Sequence, residues 1–389
     1  MDQLLTPAGH DLLAEVSASY DGANALTVSS RLRRRNSPAN LAAAMTVVAL
    51  RRKAAEKFGA DAESMFFTSV GLEQATHHAV ATHRAERAAR SGARSVVELG
   101  CGVGADLIAF RRAGLRVTAV EVDELTARIA AVNMRALHLE ADVRVGRAEM
   151  QDRSGVDLVY VDPARRSARG RIFHPASYSP PWTFVESLLG ADTVVKTAPG
   201  LSHDLVPEGV EAEWVSLDGQ LREATLWSGR AASVSRRATV LWSATRLPST
   251  VTDADDPGHA DVRPVGRFVY EPDDAVIRAH LVTAVASQVG GWLVDQHIAY
   301  VSSHELRHSP LTRAYEVLDV LPFKEKALRA ALRARDIGPL TIKKRGISVT
   351  PEVLRKRLGL TGQVAATIIV TRTPHAAVAL LVHPREPSR

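Results

Sequence analysis

The chain has 389 residues, 46% apolar and 24% charged, an ordinary globular balance that excludes a low-complexity or disordered protein and leaves room for two or three domains. One cysteine, Cys101, excludes an intramolecular disulfide and any cysteine-built zinc cluster, and no apolar run approaches a membrane span. With no basic-then-apolar leader at the start, a cytoplasmic protein without a membrane partner is expected. The net charge of +6 is uneven: Gly266 to Arg389 holds 18 Lys+Arg against 11 Asp+Glu, whereas the rest holds 31 against 32. A C-terminal excess of this kind fits an anionic partner or a solvated basic surface.

Up to about Gly92 the pattern is helical. Ser37 and Pro38 form a helix start, and Leu41, Met45, Val48 and Leu50 continue it to a stop at Gly59. Upstream, Arg31 to Arg35 contains four arginines, suited to a solvated helix end or to phosphate contact. Phe66 and Phe67 are followed by Thr68, Ser69 and a short helix through Gln74, and by pattern both aromatics belong to the core. His77, His78 and His83 lack the spacing of a ligand set and are expected at the surface.

From Gly92 to Arg246 strands and helices alternate. The apolar run through Val96, Val97 and Leu99, with Glu98 inside it, enters Gly100-Cys101-Gly102-Val103-Gly104, after which Leu107, Ile108 and Phe110 take helical spacing. Strand, glycine loop and helix together let backbone approach a ligand and aim free N–H groups at it. The loop departs from the G-x-G-x-x-G dinucleotide fingerprint. The next strand, Arg116 to Val122, ends beside Glu121, 21 residues after Gly100, where a carboxylate can accept both ribose hydroxyls. A nucleoside-containing cofactor is therefore expected.

A third strand, Asp142 to Val145, leads to Gly146-Arg147-Ala148-Glu149. The fourth, Val156 to Val161, delivers Asp162-Pro163-Ala164-Arg165-Arg166 at the strand end, where ligands of open α/β sheets collect. Arg165, Arg166, Arg169 and Arg171 suit phosphate or carboxylate recognition, or a solvated loop. Ser179-Pro180-Pro181-Trp182 opens a helix, and Trp182, Phe173 or Tyr178 can offer an aromatic face. Further strands follow at Thr193 to Lys196, Glu213 to Leu217, Ala224 to Trp227 and Ala238 to Trp242. Lys196 suits either substrate contact or a salt bridge.

Residues 247–265 read as a linker. Beyond it a separate α/β module is expected over 266–389, with one helix from Pro272 to Gly290, strands at Tyr315 to Leu321 and Thr367 to Thr371, a basic helix at Lys324 to Arg335, and the cluster Lys343-Lys344-Arg345. His304 to His308 matches H-E-x-x-H, but Pro310 disfavours the helix a zinc site needs, so no metal is expected.

Phe67-Thr68 with Leu72 to Thr76, the Gly100 to Gly104 loop, Asp162 to Arg166, Gly170-Arg171, Ser179 to Trp182, Lys196 with Ala198 to Gly200, Trp214 and Pro322 to Lys324 carry a family likeness. The chain resembles bacterial class I S-adenosylmethionine-dependent methyltransferases with a C-terminal THUMP-like domain. The resemblance implies a Rossmann-like seven-stranded sheet over 92–246, preceded by a helical region over 1–91 and followed by the THUMP-like module. It implies S-adenosyl-L-methionine as cofactor, contacted by Thr68, Gln74, Glu98, Gly100, Cys101, Gly102, Gly104, Glu121, Ala148 and Glu149.

In related amino-methyltransferases the first side chain and the Pro carbonyl of an Asp/Asn/Ser-Pro-Pro-aromatic motif accept hydrogen bonds from the target amine, which gives Asp162 and Pro163 the catalytic role; Ala164 and Arg165 replace the second proline and the aromatic, so stacking on the target comes from elsewhere. Arg147 stands where the superfamily commonly has an aspartate for the adenine amine, so that contact passes to Ala148 or Glu149. RNA is the implied partner, met by Arg165, Arg166, Phe173, Trp182, Lys343, Lys344 and Arg345, with transfer to a base nitrogen. Two alternatives remain open: methylation of a small molecule or protein, and a non-catalytic RNA-binding protein on a methyltransferase scaffold.

Overall fold

The structure, a computed structural model, describes residues 2–21, 23–165, 178–245 and 247–385. It comprises two compact units, Met1–Thr197 with Trp227–Ala231, and Ala198–Leu226 with Ala232–Arg389.

The first unit opens with helices α1 (Pro7–Ser19), α2 (Ala25–Leu32), α3 (Pro38–Phe58), α4 (Ser69–Gln74) and α5 (His78–Arg90). The expected start of α3 holds: Ser37 Oγ accepts from Asn40 N at 3.2 Å and Pro38 takes the first helical position. Gly59, at φ +57°, ends it. His83 is buried rather than at the surface, because it shares the inner face of α5 with Val80, Arg84 and Ala88.

Strands and helices then alternate as β1 (Ser95–Leu99), α6 (Ala105–Arg112), β2 (Arg116–Glu121), α7 (Glu124–Ala136), β3 (Asp142–Val145) and β4 (Leu158–Val161). The two-residue strands β5 (Ala164–Arg165) and β6 (Tyr178–Ser179), α8 (Trp182–Leu188) and β7 (Thr193–Thr197) follow. The order β7-β4-β1-β2-β3 is parallel throughout. It changes direction between β1 and β4, so the crevice beyond their carboxyl ends is the place where such sheets bind ligands. All five residues of β1 are buried, and Leu99, Leu107, Phe110 and Tyr160 lie in the core, with Phe110 edge-on to Tyr160 at 5.2 Å.

In the second unit β8 (Glu211–Leu217), β9 (Gln220–Trp227), β10 (Arg236–Leu241) and β11 (Ser249–Thr252) lie in the order β11-β10-β8-β9. β11 comes from the stretch read as a linker and pairs antiparallel with β10. A second sheet has the order β13-β14-β12-β15-β18-β17-β16, from β12 (Phe268–Pro272), β13 (Trp292–Asp295), β14 (Ile298–Ser303), β15 (Thr312–Pro322), β16 (Ile337–Lys344), β17 (Val364–Arg372) and β18 (Ala377–Arg385).

The helix expected from Pro272 is two, α9 (Asp274–Arg278) and α10 (Val282–Gln288). His280 between them adopts φ +57°, which an α-helix cannot contain, and its ring stacks on His203 at 4.0 Å. Helices α11 (Glu325–Arg333) and α12 (Pro351–Leu358) pack on this sheet through Leu328, Leu332, Leu354 and Leu358. His304 to His308 is not helical, and among the described residues no His, Cys, Asp or Glu group could hold a metal. No described helix is long and apolar enough to cross a membrane.

Removing the α3 cap by Ser37→Ala is expected to cost about 1 kcal/mol, read as an earlier urea midpoint with an unchanged slope. An unchanged midpoint would show that Ser37 contributes nothing to holding the helix.

Candidate functional site

The site grows from the end of β1. Gly100, Gly102 and Gly104 take φ values of +90°, +54° and +93°, a run that residues with a Cβ rarely adopt. Gly100 N and Cys101 N donate to Val120 O at 2.8 and 3.2 Å, which folds the loop back over β2. A Cβ on Gly100 would lie 3.0 Å from the carbonyl oxygen of Asp162, whose own N–H donates to Leu99 O at 3.2 Å. The glycine loop and the end of β4 are thus in direct backbone contact.

Glu121, at the end of β2, turns its carboxylate onto this loop. Oε2 accepts from Gly102 N and Oε1 from Asp123 N, each at 3.0 Å. The half-buried carboxylate is therefore oriented by backbone donors. Ala148 and Glu149 occupy a single turn after β3; Glu149 pairs with Arg147 at 3.0 Å, and Gly146 N donates to Glu121 O at 2.9 Å.

On the other side of the loop, α4 packs through Gly71, where a Cβ would come 2.6 Å from Val103 Cγ1. Thr68 caps α4, its Oγ1 accepting from Gly71 N at 2.9 Å, whereas Gln74 is exposed at the helix end. Phe66 and Phe67 are buried as expected. The tie between this segment and the loop is Asn133, fully buried on α7. It accepts from Phe66 N at 2.7 Å through Oδ1 and donates from Nδ2 to Phe66 O and Val103 O at 3.0 and 2.9 Å. Sequence reasoning missed it; the available signal was one amide among Ala127, Ile129, Ala130 and Met134 on an otherwise apolar face.

Asp162 meets Lys196, from β7, in an ion pair of 2.6 Å, so of the two roles open to Lys196 the structure contains the salt bridge. Pro163 beside it is buried. The backbone of Ala164 and Arg165 pairs with Ser179 and Tyr178, which brings the start of α8 alongside the Asp162 segment. Trp182 there is 7% exposed, donates from Nε1 to Glu186 Oε1 at 2.7 Å and lies 5.8 Å from the Tyr178 ring. Arg166, Arg169, Arg171, Phe173 and the side chain of Arg165 lie outside the described residues.

Lys343, Lys344 and Arg345 belong to the second unit. Lys343 pairs with Glu271 at 2.6 Å, Lys344 donates to Ile347 O at 3.2 Å, and Arg345 approaches Asp274 at 3.6 Å.

Beneath the loop lies a buried charge cluster that the sequence did not reveal. Arg84, 1% exposed on α5, pairs with Asp106 in the first turn of α6, donates to Tyr160 Oη at 3.1 Å and lies over that ring. Asp106 also accepts from Thr76 Oγ1 at 2.8 Å. Glu98, 1% exposed, has its Oε2 buried without a hydrogen-bond partner. Burial pushes the Glu98 carboxyl well above its ordinary range; Asp106 and Asp162 add to the shift, and Arg84 and Lys196 oppose it. Glu98 precedes the loop and Cys101 lies within it, and both are buried. Burial first, with Glu98 and Glu121 adding to it, pushes the Cys101 thiol well up.

A carboxyl pushed up on folding makes the native state bind more protons than the unfolded chain above the ordinary glutamate range, so stability falls as pH rises from there. The fall is at most about 1.4 kcal/mol per pH unit. Glu98→Gln removes this dependence. Urea titrations at pH 4.5 and 7 should therefore show the variant gaining on wild type as pH rises, and a constant difference would mean that Glu98 is ionised in the fold.

Comparison with known proteins agrees with this geometry. A family model described as THUMP domain-like matches residues 312–384, and one described as a domain of unknown function matches residues 1–54. A Mycobacterium tuberculosis protein, named an uncharacterized S-adenosylmethionine-dependent methyltransferase, is 38% identical over 336 residues, covering 83% of this chain and 90% of that protein. The crystal structure of a candidate methyltransferase from Porphyromonas gingivalis W83 superposes with a TM-score of 0.77 at 21% identity, covering 97% of this chain and 99% of that one, which establishes a shared fold. The chain belongs to the S-adenosylmethionine-dependent methyltransferases, as an α/β class I enzyme with a C-terminal THUMP-like domain.

Proposed function

We propose that the enzyme methylates a base nitrogen of RNA, with Asp162 and the Pro163 carbonyl accepting hydrogen bonds from the target amine. The observation that carries this reading is the ion pair of Asp162 with Lys196, at 2.6 Å, directly against the glycine loop at the sheet's change of direction. Lys196 engages Oδ2, which leaves Oδ1 as the acceptor for an amine N–H. An amine held by two acceptors has its lone pair directed, so proximity and alignment supply much of the rate. The carboxylate also stabilises the positive charge that develops on the nitrogen during transfer.

S-Adenosylmethionine supplies the electrophilic methyl group when bound. Glu121 would hold the ribose hydroxyls, Gly100, Gly102 and Gly104 with Thr68 the methionine moiety, and Ala148 and Glu149 the adenine. Glu98, buried just before the loop, and Cys101, buried within it, would anchor it to the core. Two features of the C-terminal third support RNA as acceptor: the THUMP-like match over residues 312–384 and the 18 basic against 11 acidic residues after Val265.

Asp162→Ala is expected to lower transfer by about 100-fold or more while cofactor affinity stays near wild type. Glu121→Ala should weaken cofactor binding by about 10- to 100-fold through loss of charge-assisted hydrogen bonds. Calorimetry with S-adenosylmethionine separates the two. Incubation with labelled S-adenosylmethionine and total RNA from a strain lacking the gene, then digestion to nucleosides, tests the acceptor. A labelled nucleoside identifies the modified atom; no label from a protein that binds the cofactor would overturn RNA as substrate.

A further inference from the structure

The basic excess of residues 266–389 has one source. Between Lys324 and Gly359 there are 11 Lys+Arg and three Asp+Glu, whereas the remainder of 266–389 holds seven and eight. This stretch is α11, β16 and α12 with their connections. Its middle cluster is largely committed to the fold, since Lys343 and Arg345 meet Glu271 and Asp274. The cations left for a partner are therefore on the two helices.

Those helices form one rigid surface. Arg329 on α11 donates to Arg357 O at 2.5 Å and to Glu325 at 3.0 Å, and Arg333 donates to Gly359 O at 2.9 Å, so two guanidinium groups clamp the last carbonyls of α12. Leu328, Leu332, Leu354 and Leu358 fix the opposite faces in the core. Lys324, Lys326 and Lys356 are exposed, and among the described residues none of their ammonium groups has an ion-pair or hydrogen-bond partner. Exposed Ala327, Ala330 and Ala334 lie on α11 with Lys326, leaving room for close approach of a partner.

The position of the lysines is informative. Cations in the last turn of a helix complement its dipole, which accounts for Arg355, Lys356 and Arg357 on fold grounds. Lys324 and Lys326 sit instead at the N-cap and first turn of α11, beside the positive end of the dipole, where a cation opposes folding. A polyanion laid across this end would relieve that repulsion.

Resting on the RNA reading above, we propose that the exposed faces of α11 and α12 form the surface that takes the RNA phosphate backbone, with Lys324, Lys326 and Lys356 as direct phosphate contacts. Such contacts supply affinity and orientation without reading sequence. Each contributes through counterion release, so the surface is measurable as a salt slope.

The test uses the full-length protein and end-labelled total transfer RNA, with binding followed by fluorescence polarisation across a salt series. Lys324→Gln/Lys326→Gln/Lys356→Gln should lower the slope of log affinity against log salt by about 2, at 0.7 to 0.9 per contact, and weaken low-salt binding about 10-fold or more. Calorimetry should show S-adenosylmethionine affinity unchanged, which certifies the fold of the variant. Arg31→Gln/Arg33→Gln/Arg34→Gln, in the other exposed basic stretch, should leave the slope unchanged. A wild-type slope in the lysine variant would overturn the surface while leaving RNA as substrate. If wild type shows no salt-dependent binding, the surface falls, and the nucleoside assay decides separately whether RNA methylation falls with it.

Discussion

A side chain at position 100 would meet the carbonyl oxygen of Asp162 at 3.0 Å, and the architecture of the site follows from that close approach. β1 and β4 are neighbours at the change of strand order, so their ends can meet only if the residue leaving β1 turns sharply and occupies no volume. Gly100 does both, at φ +90°. The loop proposed to hold the cofactor and the residue proposed to hold the substrate amine are then parts of one hydrogen-bonded backbone junction, fixed by Asp162 N to Leu99 O. A methyl donor and an acceptor must be aligned to fractions of an ångström, and a junction of main chain achieves this better than flexible side chains do.

The junction needs support from below, and the fold supplies it with charge. Arg84, Asp106 and Glu98 are nearly fully buried, an arrangement whose desolvation cost is offset only where partners are close. Arg84 is paired with Asp106, Thr76 and Tyr160 add hydrogen bonds, and burial pushes the Glu98 carboxyl well up, which favours its neutral form and fewer buried charges. Asp106 lies in the first turn of α6, where a carboxylate also complements the helix dipole. The network thereby fixes α5, β1, β4 and α6 against one another under the glycine loop. Asn133 does the same for α7 and the Phe66 segment without any charge at all.

Elements governed by local rules were legible in the sequence. The strand, glycine loop and helix around Gly100, the carboxylate at Glu121, the Ser37 cap and the strand ending at Asp162 each follow from spacing within a few residues. Properties set by distant partners were not. Lys343 and Arg345 read as free cations because Glu271 and Asp274 are far away in sequence, and Lys196 could not be assigned without Asp162. His280 breaks a helix whose apolar spacing is continuous, and only its left-handed backbone and the stack on His203 and Trp214 account for the break. Arg84 is one of three arginines on α5, and nothing beside it in sequence sets it apart, because a buried arginine is announced by its partner and not by its neighbours.

The concentration of basic charge between Lys324 and Gly359 bears on how substrate choice would arise. A basic surface on α11 and α12 attracts any polyanion, so it raises affinity and encounter rate without distinguishing one base from another. Discrimination must then come from the Asp162 junction, where an acceptor pair rejects a nitrogen that cannot donate, and from RNA shape. A site built around hydrogen-bond acceptors penalises the wrong group by leaving a buried carboxylate unpaired. Lys196 limits that penalty by holding one oxygen of Asp162 in either case, which leaves the other as the atom through which the acceptor amine is chosen.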